Sequence, residues 1–241
     1  IAEPFSYKFE NLPEKYQGSD VVYSVLEQTD LTGLGYLAPT YSTDGLTVTN
    51  TYTPGTTERT VTKVWADNNN QDGLRTDVTL KLTATAGGSE VDWADLVSAS
   101  ASGTQMDADG EVTLSGGSHT FDNLPEKYQG QTIVYTVDEV TVPSGYTKTV
   151  DQATLTVTNT HTPGTTERTV TKVWADNDNQ DGLRTAVELQ LVAKVNDVEV
   201  PWADLKAASA SSSGMDDDGL VTIGIAEPFS YKFENLPEKY Q

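Results

Sequence analysis

The chain has 241 residues, 36% of them hydrophobic, and 36 acidic against 15 basic side chains give it a net charge of −21. That balance excludes a nucleic-acid binder, which needs a basic face, and suits a soluble, self-repelling surface under crowding. No apolar run approaches the roughly 18 residues of a membrane span; with no cysteine present, any covalent brace must be something other than a disulfide.

In chain order, Ile1-Ala2-Glu3-Pro4-Phe5 has no charged-then-apolar signal pattern and reads as mid-domain sequence, so the chain is expected to be a piece of something longer. Two alternating runs follow. One places Tyr23, Val25 and Glu27 on a shared face and the other Leu46, Val48 and Asn50, because strand side chains alternate with period two. Thr53-Pro54-Gly55-Thr56-Thr57 reads as a short linker, since Pro and Gly end strands. Beyond it Val61, Lys63 and Trp65 share a face, with Trp65 expected as a core wall around the lysine. Asp67-Asn68-Asn69-Asn70-Gln71-Asp72-Gly73 has the oxygen-rich look of a calcium loop, but the position of the bidentate glutamate is Thr79. Asx turns capping a hairpin account for the loop as well, and no metal site is assigned. Turns at Asp72-Gly73, Gly87-Gly88, Asp109-Gly110, Gly116-Gly117 and Ser144-Gly145 separate short alternating runs, which predicts an all-β sandwich. Trp93 through Ala101, and its counterpart from Trp202, read as a short helix or a loop. His119 and His161 lie in no zinc-ligand spacing. Near the end of this stretch Tyr135, Val137 and Glu139 share one face, and Leu155, Val157 and Asn159 another.

Repetition sets the architecture. Thr53 to Asn68 recurs unchanged as Thr162 to Asn177, an offset of 162 − 53 = 109, and Asn-Leu-Pro-Glu-Lys-Tyr-Gln begins at Asn11, Asn123 and Asn235, each 112 apart. Cutting at the linkers predicts a C-terminal half-domain (1–55), a complete domain (56–164) and an N-terminal half-domain (165–241). Ile1 to Gln17 and Ile225 to Gln241 are identical, so the period is 225 − 1 = 224 residues and contains two domain types. Two explanations stand: a window cut from one continuous repeat array, or half-domains completed by a neighbouring chain.

Lys63, Glu139 and Asn159 are thus all aimed into one core, where an amine, a carboxyl and a carboxamide are each expensive unless paired. Lys63 lies on the first strand and Asn159 on the last, and in a sandwich those can be neighbours. Burial favours a neutral, nucleophilic amine and a protonated carboxyl, so Glu139 could pass protons while the amine attacks the carboxamide. Ammonia would leave and an isopeptide bond would remain. Taken singly, each residue would reach solvent at a strand end; recurrence of the pattern at Lys172, Glu27 and Asn50 argues against that.

Val-Thr-Lys-Val-Trp at the start, Tyr135-x-x-x-Glu139-x-x-x-Pro143-x-Gly145-Tyr146 and Thr156-Val157-Thr158-Asn159-Thr160 together resemble the CnaB-type domain, the B-repeat module of the staphylococcal collagen adhesin and of other Gram-positive surface proteins. The resemblance covers essentially the whole chain. It implies tandem immunoglobulin-like β-sandwich domains in an elongated array, with a self-formed Lys–Asn isopeptide bond and a catalytic glutamate. Carried over, these are Lys63, Asn159 and Glu139 in one domain type and Lys172, Asn50 and Glu27 in the other. After Glu27 the chain departs from the motif, with Leu31-Thr32-Gly33-Leu34-Gly35-Tyr36 in place of Pro-x-Gly-Tyr. The expected function is a structural stalk or fibre repeat of a cell-surface adhesin on a Gram-positive bacterium, with no cofactor, no turnover enzymology and neighbouring repeats as end-to-end partners. Alternatives are an adhesin module binding a host matrix protein or glycan, and an engineered split-domain polymerising unit.

Overall fold

The computed structural model describes residues 5–100, 106–209 and 214–240. The opening residues Ile1 to Pro4 and the Ala101 end of the Trp93 segment lie outside them. The chain divides into two compact units, Ile1–Gly55 and Thr56–Gln241.

The first unit is sparse. Strands β1 (Lys15–Tyr16) and β2 (Ser19–Asp20) pair antiparallel, as do β3 (Thr40–Tyr41) and β4 (Val48–Thr49). A single 3-10 turn, Thr32–Leu34, stands between them and ends on Gly35 at φ 91°. Phe5, Tyr7, Phe9, Leu26 and Leu46 are exposed.

The second unit begins with β5 (Thr56–Ala66), β6 (Val78–Ala86), β7 (Ser89–Val91), α1 (Trp93–Ala99), β8 (Glu111–Leu114), β9 (Gly117–Pro125), β10 (Lys127–Tyr128), β11 (Gln131–Glu139), β12 (Thr147–Asp151) and β13 (Thr156–Thr160). These build an immunoglobulin-like sandwich. One sheet runs β12-β13-β5-β9; the other runs β10-β11-β6-β7, with β8 also against β6. Threonine and valine dominate the strands because β-branched side chains fit a half-buried pleat. The outer faces carry hydroxyl pairs across strands, Thr60 with Thr120 at 2.8 Å and Thr83 with Thr136 at 2.8 Å. Inward, Val61, Leu80, Leu82, Leu96, Phe121, Leu124, Val137 and Val157 are all 0–1% exposed and form one core.

Two local expectations change on contact with the structure. The linker is shorter than the five-residue reading, because Thr56 already pairs with Pro125, so β5 starts inside the Thr-Pro-Gly-Thr-Thr stretch. The same holds for Thr165, which pairs with Pro237. Leu155 also departs from strand geometry: its φ is 50°, and only Val157 and Asn159 of that face follow the period. Leu155 is nevertheless buried, its carbonyl accepting from the Thr62 N–H at 3.0 Å.

The Trp93 segment is a helix. Asp92 caps it by accepting from the Ala94 N–H, and Trp93 Nε1 donates to the Asp107 carbonyl at 2.7 Å, tying the helix to the Asp-Gly turn. Gly110 in that turn has φ 69°, and a Cβ there would meet both Leu82 O and the Trp93 ring at 2.9 Å.

The remainder of the unit repeats the first half of this plan. Strands β14 (Thr165–Thr171), β15 (Val187–Gln190), β16 (Ala193–Val195) and β17 (Val198–Val200), helix α2 (Trp202–Ala208), and strands β18 (Leu220–Ile223) and β19 (Ser230–Pro237) pair as β14-β19, β15-β18 and β16-β17. They have their own core around Trp202, Leu205, Met215, Phe233 and Leu236. The duplicated segments therefore differ in environment. Phe233 is 0% exposed against β14, whereas Phe9, the same residue of the other copy, is 64% exposed. Asn11, Asn123 and Asn235 all keep φ 57°, and at Asn123 and Asn235 this left-handed residue supplies the extra position where β9 and β19 slip register opposite Glu58 and Glu167.

Candidate functional site

β5 and β13 are the first and last strands of the complete sandwich and lie side by side, parallel, with Val157 opposite Lys63 and Asn159 opposite Trp65. Lys63 and Asn159 are thus one diagonal step apart on the inner face. Glu139 ends β11 in the facing sheet, opposite Leu80. The Lys63 and Glu139 side chains are 0% exposed, and Asn159 is 0% exposed as a residue.

The three side chains meet. Asn159 Nδ2 donates to Glu139 Oε1 at 2.9 Å, and Glu139 Oε2 lies 3.8 Å from Lys63 Nζ. Lys63 Nζ also sits 4.3 Å from the centroid of the Trp65 ring, which walls off the amine, and donates to the Val64 carbonyl at 3.3 Å. Asn159 Oδ1 and Glu139 Oε2 are buried without a hydrogen-bond partner, a costly state for a finished structural network. Burial lowers the Lys63 amine to about 8, partly offset by the charge and hydrogen bonding of Glu139. About a tenth of the amine is therefore neutral at pH 7, the form a nucleophile requires.

Beside this trio lies a network that sequence reading missed. Arg75 clamps Asp67 through two bonds, Nε to Oδ2 at 2.8 Å and Nη2 to Oδ1 at 2.5 Å, while Tyr146 donates its hydroxyl to Asp67 Oδ2 at 2.7 Å. Burial alone would raise Asp67, but the bonds from Arg75, Tyr146 and the Asn70 N–H hold it down at about 2. The Tyr146 ring stands edge-on to Trp65 at 4.9 Å and beside His161 at 5.3 Å, closing the end of the core above Lys63. The oxygen-rich loop spends its donors here. Asn68, Asn69 and Asn70 all have positive φ, and Asn70 Oδ1 accepts from the Arg75 N–H at 3.0 Å. A signal exists in the sequence: Asp67 and Arg75 recur at the same spacing as Asp176 and Arg184, which are clamped alike.

The second residue set is divided between the units. In the first unit Asn50 Nδ2 donates to Glu27 Oε1 at 2.9 Å, matching the Asn159–Glu139 contact, and the Tyr23 hydroxyl donates to the Pro13 carbonyl at 2.8 Å as Tyr135 does to that of Pro125. Glu27 Oε2 and Asn50 Oδ1 are likewise unpartnered. In the second unit Lys172 Nζ lies 4.3 Å from the Trp174 ring, as Lys63 does from Trp65.

Comparison with known proteins gives the family. The chain is 39% identical over 185 residues to the collagen adhesin of Staphylococcus aureus, a match covering 75% of this chain and 14% of the adhesin. The crystal structure of two B repeat units of the collagen binding protein of the same organism superposes with a TM-score of 0.52 at 31% identity, over 98% of this chain and 53% of that one. The chain thus spans about a seventh of the adhesin's length and about half of the two-repeat structure. The family described as Cna protein B-type domain matches at residues 2–51, 59–160 and 168–241, and the chain belongs to that family.

Proposed function

We propose that this chain is a load-bearing repeat of an adhesin stalk on the outside of a Gram-positive cell, braced by an amide bond between Lys63 and Asn159. The observation that carries the reading is the buried trio: the Asn159 nitrogen bonded to one Glu139 oxygen at 2.9 Å while the other oxygen lies 3.8 Å from the Lys63 amine. The neutral amine attacks Asn159 Cγ, and the Cγ–Nδ2 bond breaks. Glu139 takes the proton from the attacking amine and hands one to the departing nitrogen, so that ammonia leaves and a secondary amide remains. Each site reacts once, which is assembly and not turnover. Similarity to a staphylococcal collagen adhesin supports the surface location.

The bond would join the first and last strands at their paired register, so pulling on the two ends of the domain loads the bond before the sheet. In this reading residues 56–164 are the complete domain, 1–55 the C-terminal half of the other type and 165–241 its N-terminal half. Lys172 then bonds the Asn50 of a neighbouring repeat, with Glu27 as proton carrier. Single-molecule extension tests the load-bearing role. The 159 − 63 = 96 residues inside the loop, about 330 Å of contour at full extension, should stay hidden in the wild-type chain and be released in Lys63→Ala. Release of that length from the wild type would refute it.

A further inference from the structure

The Asp67–Asp72 loop does more than close the end of its own sandwich. Gln71 is only 5% exposed and donates through Nε2 to the Lys239 carbonyl at 3.4 Å, while Lys239 Nζ donates to the Asp72 carbonyl at 3.5 Å. Asn68 Nδ2 donates to the Ala208 carbonyl at the end of α2. Asp72 Oδ2 accepts from His161 Nε2 at 2.9 Å and from the N–H of the linker residue Gly164 at 3.4 Å, and the Glu238 N–H donates to the Gly164 carbonyl at 3.2 Å. One loop is thereby gripped from its own domain's last strand, from the linker and from the Glu-Lys-Tyr turn of the domain that follows.

Both partners in this contact recur. Asp176-Asn177-Asp178-Asn179-Gln180-Asp181-Gly182-Leu183-Arg184 differs from the gripped loop only by Asp178 for Asn69, and Glu126-Lys127-Tyr128 repeats Glu238-Lys239-Tyr240. The loop backbones agree as well, with φ of 52°, 55° and 63° in one and 52°, 58° and 63° in the other. Yet Gln180 is exposed where Gln71 is buried, while Glu126 and Lys127 are exposed just as Glu238 and Lys239 are within the junction. The two surfaces therefore stand at opposite ends of the repeat order, each presenting the complement of the other.

We propose that the Asp176–Asp181 loop docks onto the Glu126-Lys127-Tyr128 segment, the start of the β10–β11 hairpin, of a second copy of this chain, repeating the Gln71–Lys239 junction head to tail. Such a contact is heterologous, joining two different surfaces, so each added copy leaves one of each surface for the next. It is small and polar, and within an array the tether supplies the effective concentration that separate chains lack. This inference stands apart from the amide bond, because no residue of the Lys63 site takes part.

The chain has no cysteine, so pairs can be introduced freely and joined with a short bis-maleimide. In a Lys172→Ala background, which removes any covalent ladder through that lysine, Gln71→Cys with Lys239→Cys should join within one molecule. Gln180→Cys with Lys127→Cys should join between molecules into a ladder of multimers at high concentration. Asp95→Cys with Gln180→Cys serves as the reference for random encounter. A Gln180–Lys127 ladder no faster than the reference pair overturns the docking, and failure of the Gln71–Lys239 pair to join overturns the junction that the docking repeats.

Discussion

At the scale of single residues, the inner face of β5 carries the amine of the proposed bond and the ring packed against it. In the proposed reaction Lys63 must lose its proton to attack, and burial lowers its pKa to about 8, with the Trp65 ring centroid 4.3 Å from the amine. Lys63→Ala and Asn159→Ala should each abolish the bond outright. Glu139→Ala should leave the domain folded but unbonded, seen as a retained ammonia in the intact mass. Asp67 offers a second test. Its low folded value means that the stability it contributes is present above the usual carboxylate range and is lost as pH falls through about 2. Arg75→Leu strands that carboxylate and should cost about 3 kcal/mol in guanidinium unfolding, the low end for a broken buried pair because Arg75 is partly exposed. The lysine, glutamate and asparagine are legible in the sequence because period-two alternation places polar groups where only apolar ones belong. Arg75 has no such periodic mark, because it lies in a loop and its partner is eight residues away; only the recurrence of Asp67 and Arg75 as Asp176 and Arg184 points to it.

Among the elements, the strands are readable from their β-branched alternation and from the glycine turns between them. The Trp93 segment is ambiguous in sequence between helix and loop: α1 has only seven residues, too few for a helical period to show, and it is held by its tryptophan and not by propensity. Leu155 looks like strand because its side chain is apolar and in phase, whereas the turn before β13 sets its backbone. Gly110 is what the Asp-Gly turn requires, and Gly110→Ala should destabilise by about 1–3 kcal/mol through its left-handed φ and its clash with Leu82 O and Trp93, visible as a lower thermal midpoint. After β13, the hydrogen bonds that His161 donates to Asp72 and to the Gly145 carbonyl raise its affinity for its proton. The stability so gained is complete below the usual histidine value near 6.5 and fades as pH rises through the raised one. The thermal midpoint should therefore fall as pH rises above the usual histidine range, and His161→Tyr, the residue found at the equivalent Tyr52, should flatten that fall.

For the whole molecule, repetition tells more than any motif. The offsets of 109 and 112 give the spacing of the repeated segments, and the structure adds what repetition alone could not: identical sequences take different environments when only one copy finds its partner strand, as Phe233 and Phe9 do. A crosslink closing 96 residues between Lys63 and Asn159 should contribute about 4–5 kcal/mol by the chain-entropy argument used for disulfides, and it would survive any reductant. The most direct measurement is the mass of the peptide pair that holds Lys63 and Asn159 after proteolysis of the folded protein. The account predicts the two peptides joined and lighter than their sum by one ammonia, with the loss absent in Glu139→Ala; separate peptides of full mass from the wild-type chain would contradict it.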